Sequence, residues 1–125
     1  MGSRKASPPL HYNLEVWKSA MRLAREVYRA SAAFPDAERF GLTSQIRRAA
    51  VSVASNIAEG AGRGGHADYA RHLRIARGSL MEVDTQIWIA HDLGFLAERH
   101  DLHESVQHIA AMLSALIKTK TEAQQ

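Results

Sequence analysis

The sequence contains no cysteine among its 125 residues, which excludes disulfide bonds, thiolate metal sites and cysteine nucleophiles. It also has no apolar run near the roughly 20 residues that are needed to cross a bilayer. The first residues, MGSRKASPPL, have no apolar core of the kind found in signal peptides. These absences lead us to expect a soluble, cytoplasmic protein.

Lysine is scarce, since arginine supplies 12 of the 16 basic residues. Acidic residues are scarce in the middle of the chain, where residues 39–77 carry seven arginines against Glu59 and Asp68. Residues 78–125 reverse this balance, with three basic and seven acidic residues. Arginine is favoured for planar pairing with carboxylates and phosphates. The basic middle therefore indicates a polyanion or an acidic protein surface as partner.

The hydrophobic content of 46% and the charged content of 23% are ordinary values for a globular protein, and the length is that of one domain. No alternation typical of strands occurs anywhere in the chain. We predict a disordered tail over residues 1–12, a helical domain over 13–121 and a frayed tail over 122–125.

The central stretch Leu42–Arg63 predicts a helix with almost no ordinary solvent face. Its apolar residues recur at helical spacing on one side, and most remaining positions are small: the apolar set is Ile46, Ala50, Val53 and Ile57. A helix of this kind is usually buried on more than one side. We interpret it as covered by its own bundle and by a second subunit, with an ordinary core helix as the alternative. Thr43 is the predicted cap, and Gly60 begins the stop signal.

Three further helices are predicted over about 14–33, 66–93 and 98–120, the first capped by Asn13. Each carries an apolar seam with steps of four and three residues: Val16, Ala20, Leu23 and Val27; Tyr69, Leu73, Ala76, Leu80, Val83, Ile87 and Ala90; Leu102, Val106, Ile109, Leu113 and Leu116. The connections are short, and one of them, around residues 36–41, has room for a short helical turn. We therefore predict an all-α, antiparallel, up-down-up-down four-helix bundle with crossing angles near about +20°.

The third helix has a second stripe, in which Arg74, Met81 and Trp88 are spaced by seven residues beside Arg77. Exposed Met and Trp side chains in line favour a partner surface, and a wide core stripe is the alternative. A glycine in mid-helix costs about 1 kcal/mol relative to alanine, so the glycine within this helix favours close approach of another helix, with the central helix as the candidate. The candidate subunit interface comprises Arg48, Ser52, Ser55, Glu59, Arg74, Arg77, Gly78, Met81 and Trp88.

Two polar features of the central helix carry hypotheses of their own. Glu59 lies on the side opposite the apolar residues, and we expect it to pair with Arg74 or Arg77. Asn56 borders the apolar side, where its amide needs hydrogen-bond partners. A bond to another helix that sets the register is favoured over a ligand contact there.

No pattern in the sequence favours catalysis. His100 and His103 lie among acidic residues near a helix start, where a solvated capping segment is favoured over a metal site. The Glu-x-x-His motif of di-iron bundles is absent. GAGRGG at residues 60–65 lacks the Lys-Ser/Thr ending of a phosphate-binding loop and follows a helix. We expect no enzyme activity, no metal and no cofactor.

Three segments make the chain resemble a known family: LEVWKSAMRLAREVY, FPDAERFGLTSQIRRAAVSVASNIAEGAGR and YARHLRIARGSLMEVDTQIWIAHDLGFL. They resemble the bacterial four-helix-bundle family named for the protein encoded in intervening sequences of large-subunit rRNA genes. The match covers about residues 14–96, and its phrases FPxxExFGLTSQxRRAAVSxxxNIAEG and ARGSLxExxTQ are long. The resemblance implies a ring-shaped homopentamer without catalysis.

The chain is similar also to the accessory protein of diversity-generating retroelements, a basic pentameric bundle that binds nucleic acid and a reverse transcriptase. The acidic fourth helix and the few lysines depart from that protein's pattern.

Two functional classes remain open. In the first, the protein is an oligomeric assembly or adaptor module whose partner is another protein. In the second, it is a basic pentameric accessory protein that binds RNA or DNA and works with a reverse transcriptase or rRNA. Its candidate nucleic-acid contacts are Arg39, Arg47, Arg63 and Arg71, which repetition around a ring would multiply. Salt bridges between subunits are the alternative use for these arginines.

Overall fold

The computed structural model describes residues 9–97 and 101–123 of the chain. Within these ranges the secondary structure is helical throughout, with no strand. The four α-helices are α1 (Glu15–Ser31), α2 (Leu42–Ala61), α3 (His66–Asp92) and α4 (Leu102–Ala123). Two short 3-10 helices span Leu10–Asn13 and Asp36–Glu38, and the second is the short turn expected in the α1–α2 connection.

The four helices pack as a bundle in which each contacts the helix before and after it in the chain, and α4 packs back on α1. Two contacts, at different positions along the helices, establish that α2 and α3 are antiparallel. The hydroxyl oxygens of Ser52 and Ser79 are 2.8 Å apart, and farther along α2 the Glu59 carboxylate lies 3.7 Å from Nε2 of His72, which is earlier in α3. The helical secondary structure and the packing of the four helices confirm the predicted all-α fold and its bundle packing.

The predicted seams form the core. The largest fully buried side chains come from all four helices, among them Leu23, Ile57, Leu80 and Ile109. The α4 seam differs from the prediction at its last position. Ile117 is buried to 6% exposure, whereas the predicted residue, Leu116, is only half-buried. The final step of the α4 seam is therefore four residues, as the 3.6-residue turn requires when a strict seven-residue repeat drifts off the core.

The helix starts differ from the predicted caps. α1 begins after Leu14, with no side-chain cap, and Asn13 lies in the preceding 3-10 helix. α2 begins after Gly41, and Thr43 lies inside its first turn. The free N–H of Leu42 is instead satisfied by the Glu38 carboxylate, whose Oε1 accepts at 3.1 Å. The 3-10 turn brings this carboxylate back over the helix start, where negative charge is favoured.

The predicted tails lie partly outside the described residues, which begin at residue 9 and end at residue 123. Leu10–Asn13, which spans the boundary between the predicted tail and the predicted domain, forms a 3-10 helix, and the Tyr12 ring stacks on Trp17 with centroids 5.6 Å apart. At the other end, α4 continues to Ala123. In the described ranges, no helix combines the length and the apolarity that a bilayer crossing requires.

Candidate functional surfaces

The helices α2 and α3 meet along a line of small polar residues. Ser52 bonds to Ser79 across the helix pair at 2.8 Å. The Asn56 amide donates to the Ser52 carbonyl at 3.0 Å and to its hydroxyl at 3.1 Å. The expected bond from Asn56 to another helix is therefore wrong, since both acceptors lie one turn earlier in its own helix. The contact between helices passes through the serine hydroxyls.

The close approach of these helices occurs at Gly60. A Cβ atom added there would lie 2.9 Å from Cβ of His72 and 3.2 Å from Cδ1 of Tyr69, both on α3. At Gly78, by contrast, an added Cβ would have no atom within 4 Å among the described residues. The prediction that Gly78 accommodates the central helix is therefore wrong within one chain: Gly78 faces outward.

Gly78 lies in an exposed strip along the outer side of α3. The apolar side chains of this strip are about half exposed, with Ile75 at 42%, Met81 at 45% and Ile89 at 43%. On the outer side of α2, Ser55 is exposed and Val51 is 43% exposed. We call the exposed sides of α2 and α3, with the groove between them, the α2/α3 face.

The groove of the α2/α3 face contains an unsatisfied polar group. The Gln86 side chain is buried to 9% exposure, and its Oε1 has no hydrogen-bond partner in the described part of the chain. Two adjoining pockets, of about 360 and 390 Å³, open on this groove. The residues that line one or both are Gln45, Arg48, Ala49, Ser52, Gly78, Ser79, Met81, Glu82, Thr85, Gln86 and Ile89. A buried amide oxygen usually has a donor. The Oε1 atom is itself buried, so a donor from outside the chain reaches it only if the Gln86 side chain turns toward the groove.

The second stripe of α3 lies partly against α4. Arg74 donates to the Thr121 hydroxyl at 3.1 Å, and Arg77 donates to the Ser114 hydroxyl at 3.5 Å. The Trp88 ring is 51% exposed and lies 4.2 Å from the His103 ring, centroid to centroid. Of the stripe, Met81 alone lines the groove of the α2/α3 face.

The predicted pairing of Glu59 with an arginine of α3 does not occur within the chain. Its carboxylate accepts from Arg63, which lies just after the end of α2, at 2.7 Å. The Arg63 hydrogen bond and charge, with smaller contributions from His72 and Arg71, lower the pKa of the Glu59 carboxyl below its ordinary value. The same pairing raises the pKa of Arg63.

The four arginines predicted to contact nucleic acid differ in what they contact. Arg63 pairs with Glu59, and Arg71 lies 3.6 Å from Asp68. Arg47 links α2 to the end of α1 by hydrogen bonds, since it donates to the Ser31 hydroxyl at 2.7 Å and to the Tyr28 carbonyl at 3.2 Å. The Arg39 side chain makes no hydrogen bond or ion pair within the described residues, and its guanidinium lies over the Phe40 ring.

Arg39 and Arg47 come together at a pocket of about 450 Å³ beside the start of α2, which we call the arginine pocket. Its lining residues are Tyr28, Arg39, Phe40, Thr43, Ser44, Arg47 and Arg48. Arg63 and Arg71 do not line it. Arg48, placed by sequence in the subunit interface, also has no ion pair in the described ranges, and it lines both this pocket and the groove of the α2/α3 face.

Several residues of these surfaces were missed by sequence reasoning. Phe40 is 87% exposed, and an isolated aromatic residue in a connector carries no periodic signal that distinguishes core from surface. Gln86 was missed because polar residues on a helix are usually solvated. The available signal was its position seven residues after Ser79, because that spacing places both side chains on the side of α3 that faces α2 in the groove.

No group of three or more His, Asp or Glu side chains is arranged to hold a metal ion among the described residues. The Nδ1 atom of His103 lies 3.4 Å from the Asp84 carboxylate, and its ring packs against the Trp88 ring. Both are contacts between α4 and α3. His100, the other histidine considered as a ligand, lies outside the described residues.

The packing and the surfaces together define a four-helix bundle protein with an exposed apolar groove and an arginine-lined pocket. A family model described as 23S rRNA-intervening sequence protein matches residues 12–115, which is most of the chain. The chain belongs to this family, as the resemblance of its sequence motifs indicated. No curated protein matches the chain.

Proposed function

We propose that the protein is a non-enzymatic module that assembles with copies of itself through the α2/α3 face. The observation that carries this proposal is the groove bordered by the half-exposed side chains of Met81 and Ile89, with the unsatisfied amide oxygen of Gln86 buried beneath it. A second chain would cover the apolar side chains, and it would donate to the amide oxygen if the Gln86 side chain turned toward the groove. Exposed apolar patches of this kind mark interaction sites on otherwise polar surfaces.

The shape of the α2/α3 face supports close contact with a helix. Gly78 leaves open space in the middle of α3, and Ser55 is a small exposed residue on α2. Full burial of a side chain such as Met or Ile contributes about 1.5–3 kcal/mol. Several such side chains are needed, because association must exceed the loss of translational and rotational freedom.

We propose a homopentameric ring, the stoichiometry that the family resemblance implies. A ring requires a head-to-tail contact, in which two different surfaces of each chain meet. The α2/α3 face would supply one of them. Such a ring would present five copies of every exposed surface, which suits an adaptor that holds another protein.

Light scattering during size-exclusion chromatography tests the assembly. A pentamer would have a mass of about 69 kDa, five times the chain mass of 13.8 kDa. Met81→Glu should shift the mass toward that of one chain, because a buried carboxylate without a partner opposes association. Leu10→Glu is the matched control, since Leu10 is 74% exposed on the N-terminal 3-10 helix. A wild-type mass of 13.8 kDa would contradict the proposal.

A second proposed function is RNA or DNA binding, as an accessory to a reverse transcriptase or to rRNA. The arginine pocket favours it, because Arg39 and Arg48 have guanidinium groups without carboxylate partners in the described ranges. Affinity for a labelled RNA should fall steeply between about 50 and 200 mM salt if phosphates are contacted. Absence of binding at the lower salt concentration would exclude this function.

A further inference from the structure

The arginine pocket combines three kinds of group on one small surface. Three guanidinium groups come from Arg39, Arg47 and Arg48, two rings from Tyr28 and Phe40, and two hydroxyls from Thr43 and Ser44. Its volume of about 450 Å³ lies in the range of small-molecule sites. The space exceeds what a lone inorganic anion fills.

The positive charge of the pocket is largely uncompensated within the chain. Arg39 and Arg48 form no ion pair in the described part of the chain, and Arg47 bonds only to neutral oxygens. The carboxylate of Glu38, next to Arg39 in sequence, accepts from the N–H of Leu42 at the start of α2. Arginine binds phosphate, as it binds carboxylate, with planar, paired hydrogen bonds.

The two rings are placed differently. The Tyr28 ring is half-exposed, and the Arg47 guanidinium lies 4.6 Å from its centroid. Phe40 is 87% exposed, with the Arg39 guanidinium 5.3 Å from its ring centroid. Phe40 contributes little to the core, so its exposed ring is available to a ligand with an aromatic face. Nucleobases stack on such rings, and arginine adds cation–π attraction.

We propose that the arginine pocket binds an unpaired nucleotide of single-stranded nucleic acid. The base stacks on Phe40, and the adjoining phosphate accepts from Arg39 and Arg48. A base-paired duplex keeps its bases stacked inside the helix, so it reaches only the guanidinium groups. This inference rests on the second proposed function and specifies the form of nucleic acid that is recognised.

Fluorescence anisotropy with a labelled single strand, and with a duplex of equal length, tests the inference at about 50 mM salt. The single strand should bind more tightly than the duplex. Phe40→Ala should weaken single-strand binding about 5-fold to 100-fold, the size of one base–aromatic stack, and should leave duplex binding unchanged. Leu10→Ala removes another exposed apolar side chain and is the matched control.

A second pair of variants separates the pocket from general attraction between charges. Arg39→Ala and Arg63→Ala each remove one positive charge, but Arg39 lines the pocket and Arg63 pairs with Glu59. Arg39→Ala should weaken single-strand binding more than Arg63→Ala does. Unchanged circular dichroism would confirm that each variant is folded.

The outcomes distinguish the nucleotide pocket from nucleic-acid binding in general. Equal affinity for single strand and duplex, with no effect of Phe40→Ala, would overturn the nucleotide pocket and leave nucleic-acid binding in place. Equal losses in Arg39→Ala and Arg63→Ala would also overturn the pocket. No binding of either nucleic acid would overturn the nucleic-acid function together with the pocket.

Discussion

Glu59 illustrates at the scale of a residue how charges are used on this protein. It lies near the end of α2, between Arg63 in the turn that follows this helix and His72 on α3. The side chain is about half exposed, so solvent screens the pairing. The local role of the contact is to hold Arg63, which is thereby less available to an external anion than Arg39.

The first prediction concerns the titration of Glu59. Because Arg63 favours the ionised carboxylate, the pKa of Glu59 is lowered. The stabilisation is present above the carboxyl's unfolded-state pKa and is lost as the pH falls through the lowered folded-state pKa. Arg63→Ala should raise the pKa toward its ordinary value, as measured by NMR of the side-chain carboxyl carbon.

Arg74→Ala is the matched control for this titration, because Arg74 bonds to Thr121 on α4. It should leave the Glu59 pKa unchanged. A larger effect of Arg74→Ala than of Arg63→Ala would contradict the pairing seen in the chain and would place Glu59 against Arg74.

At the scale of the elements, the α2–α3 pair depends on one glycine and not on the other. Gly60 lies where the two helices are closest, and Gly78 faces open space. Gly60 lies in the last turn of α2, whereas Gly78 lies in the middle of α3. The packing of α2 on α3 decides what a side chain at each position would contact.

The second prediction is that alanine has opposite effects at these two positions. Gly60→Ala should destabilise the fold by about 1–3 kcal/mol, because the new methyl group meets Cβ of His72, an atom that no rotamer change can move away. Gly78→Ala should stabilise it by about 0.5–1 kcal/mol through higher helix propensity. Urea unfolding at low protein concentration measures both effects.

The effect of Gly78→Ala on assembly is a separate measurement. If a second chain packs closely at Gly78, the added methyl group should weaken the oligomer while it stabilises the single chain. Equal destabilisation by the two alanines in urea would show that α2 and α3 do not pack as described.

At the scale of the whole molecule, the proposed assembly links folding to concentration. The exposed apolar side chains of the α2/α3 face remain in water in one isolated chain. Contact between chains would bury them. Association of folded chains then stabilises the folded state by mass action.

The third prediction is a melting temperature that rises with protein concentration. The rise should be clear over about a 100-fold range of concentration. Met81→Glu should remove this dependence and preserve the melting temperature of the dilute protein, because Met81 is half-exposed in one chain. Differential scanning calorimetry provides the measurement, and a concentration-independent wild-type midpoint would contradict coupled assembly.

Much of the fold was predictable because the apolar seams repeat at helical spacing. Leu73, Leu80 and Ile87 are fully buried as that spacing requires. The helix starts were predicted less well, since the cap of α2 comes from Glu38 across a 3-10 turn. Such a cap depends on chain reversal, which local capping preferences do not encode.

The candidate sites were less predictable than the fold. The sequence placed arginines in its basic middle, but Arg39 and Arg47 share a pocket whereas Arg63 and Arg71 pair with nearby carboxylates. The exposed ring of Phe40 and the unpaired oxygen of Gln86 completed the candidate surfaces. Their roles depend on which neighbours the folded chain brings within a few ångströms.

The sequence by itself determined the helical class, the apolar seams and the family, because periodic burial and long motifs are properties of residue order. The tertiary structure decided which polar side chains have hydrogen-bond or ion-pair partners among the described residues and which have none. Gly60 and Gly78 are the clearest example, since only the packing of α2 on α3 makes one a contact and leaves the other exposed. The physical reason is that hydrogen bonds and close contacts form between atoms far apart in sequence.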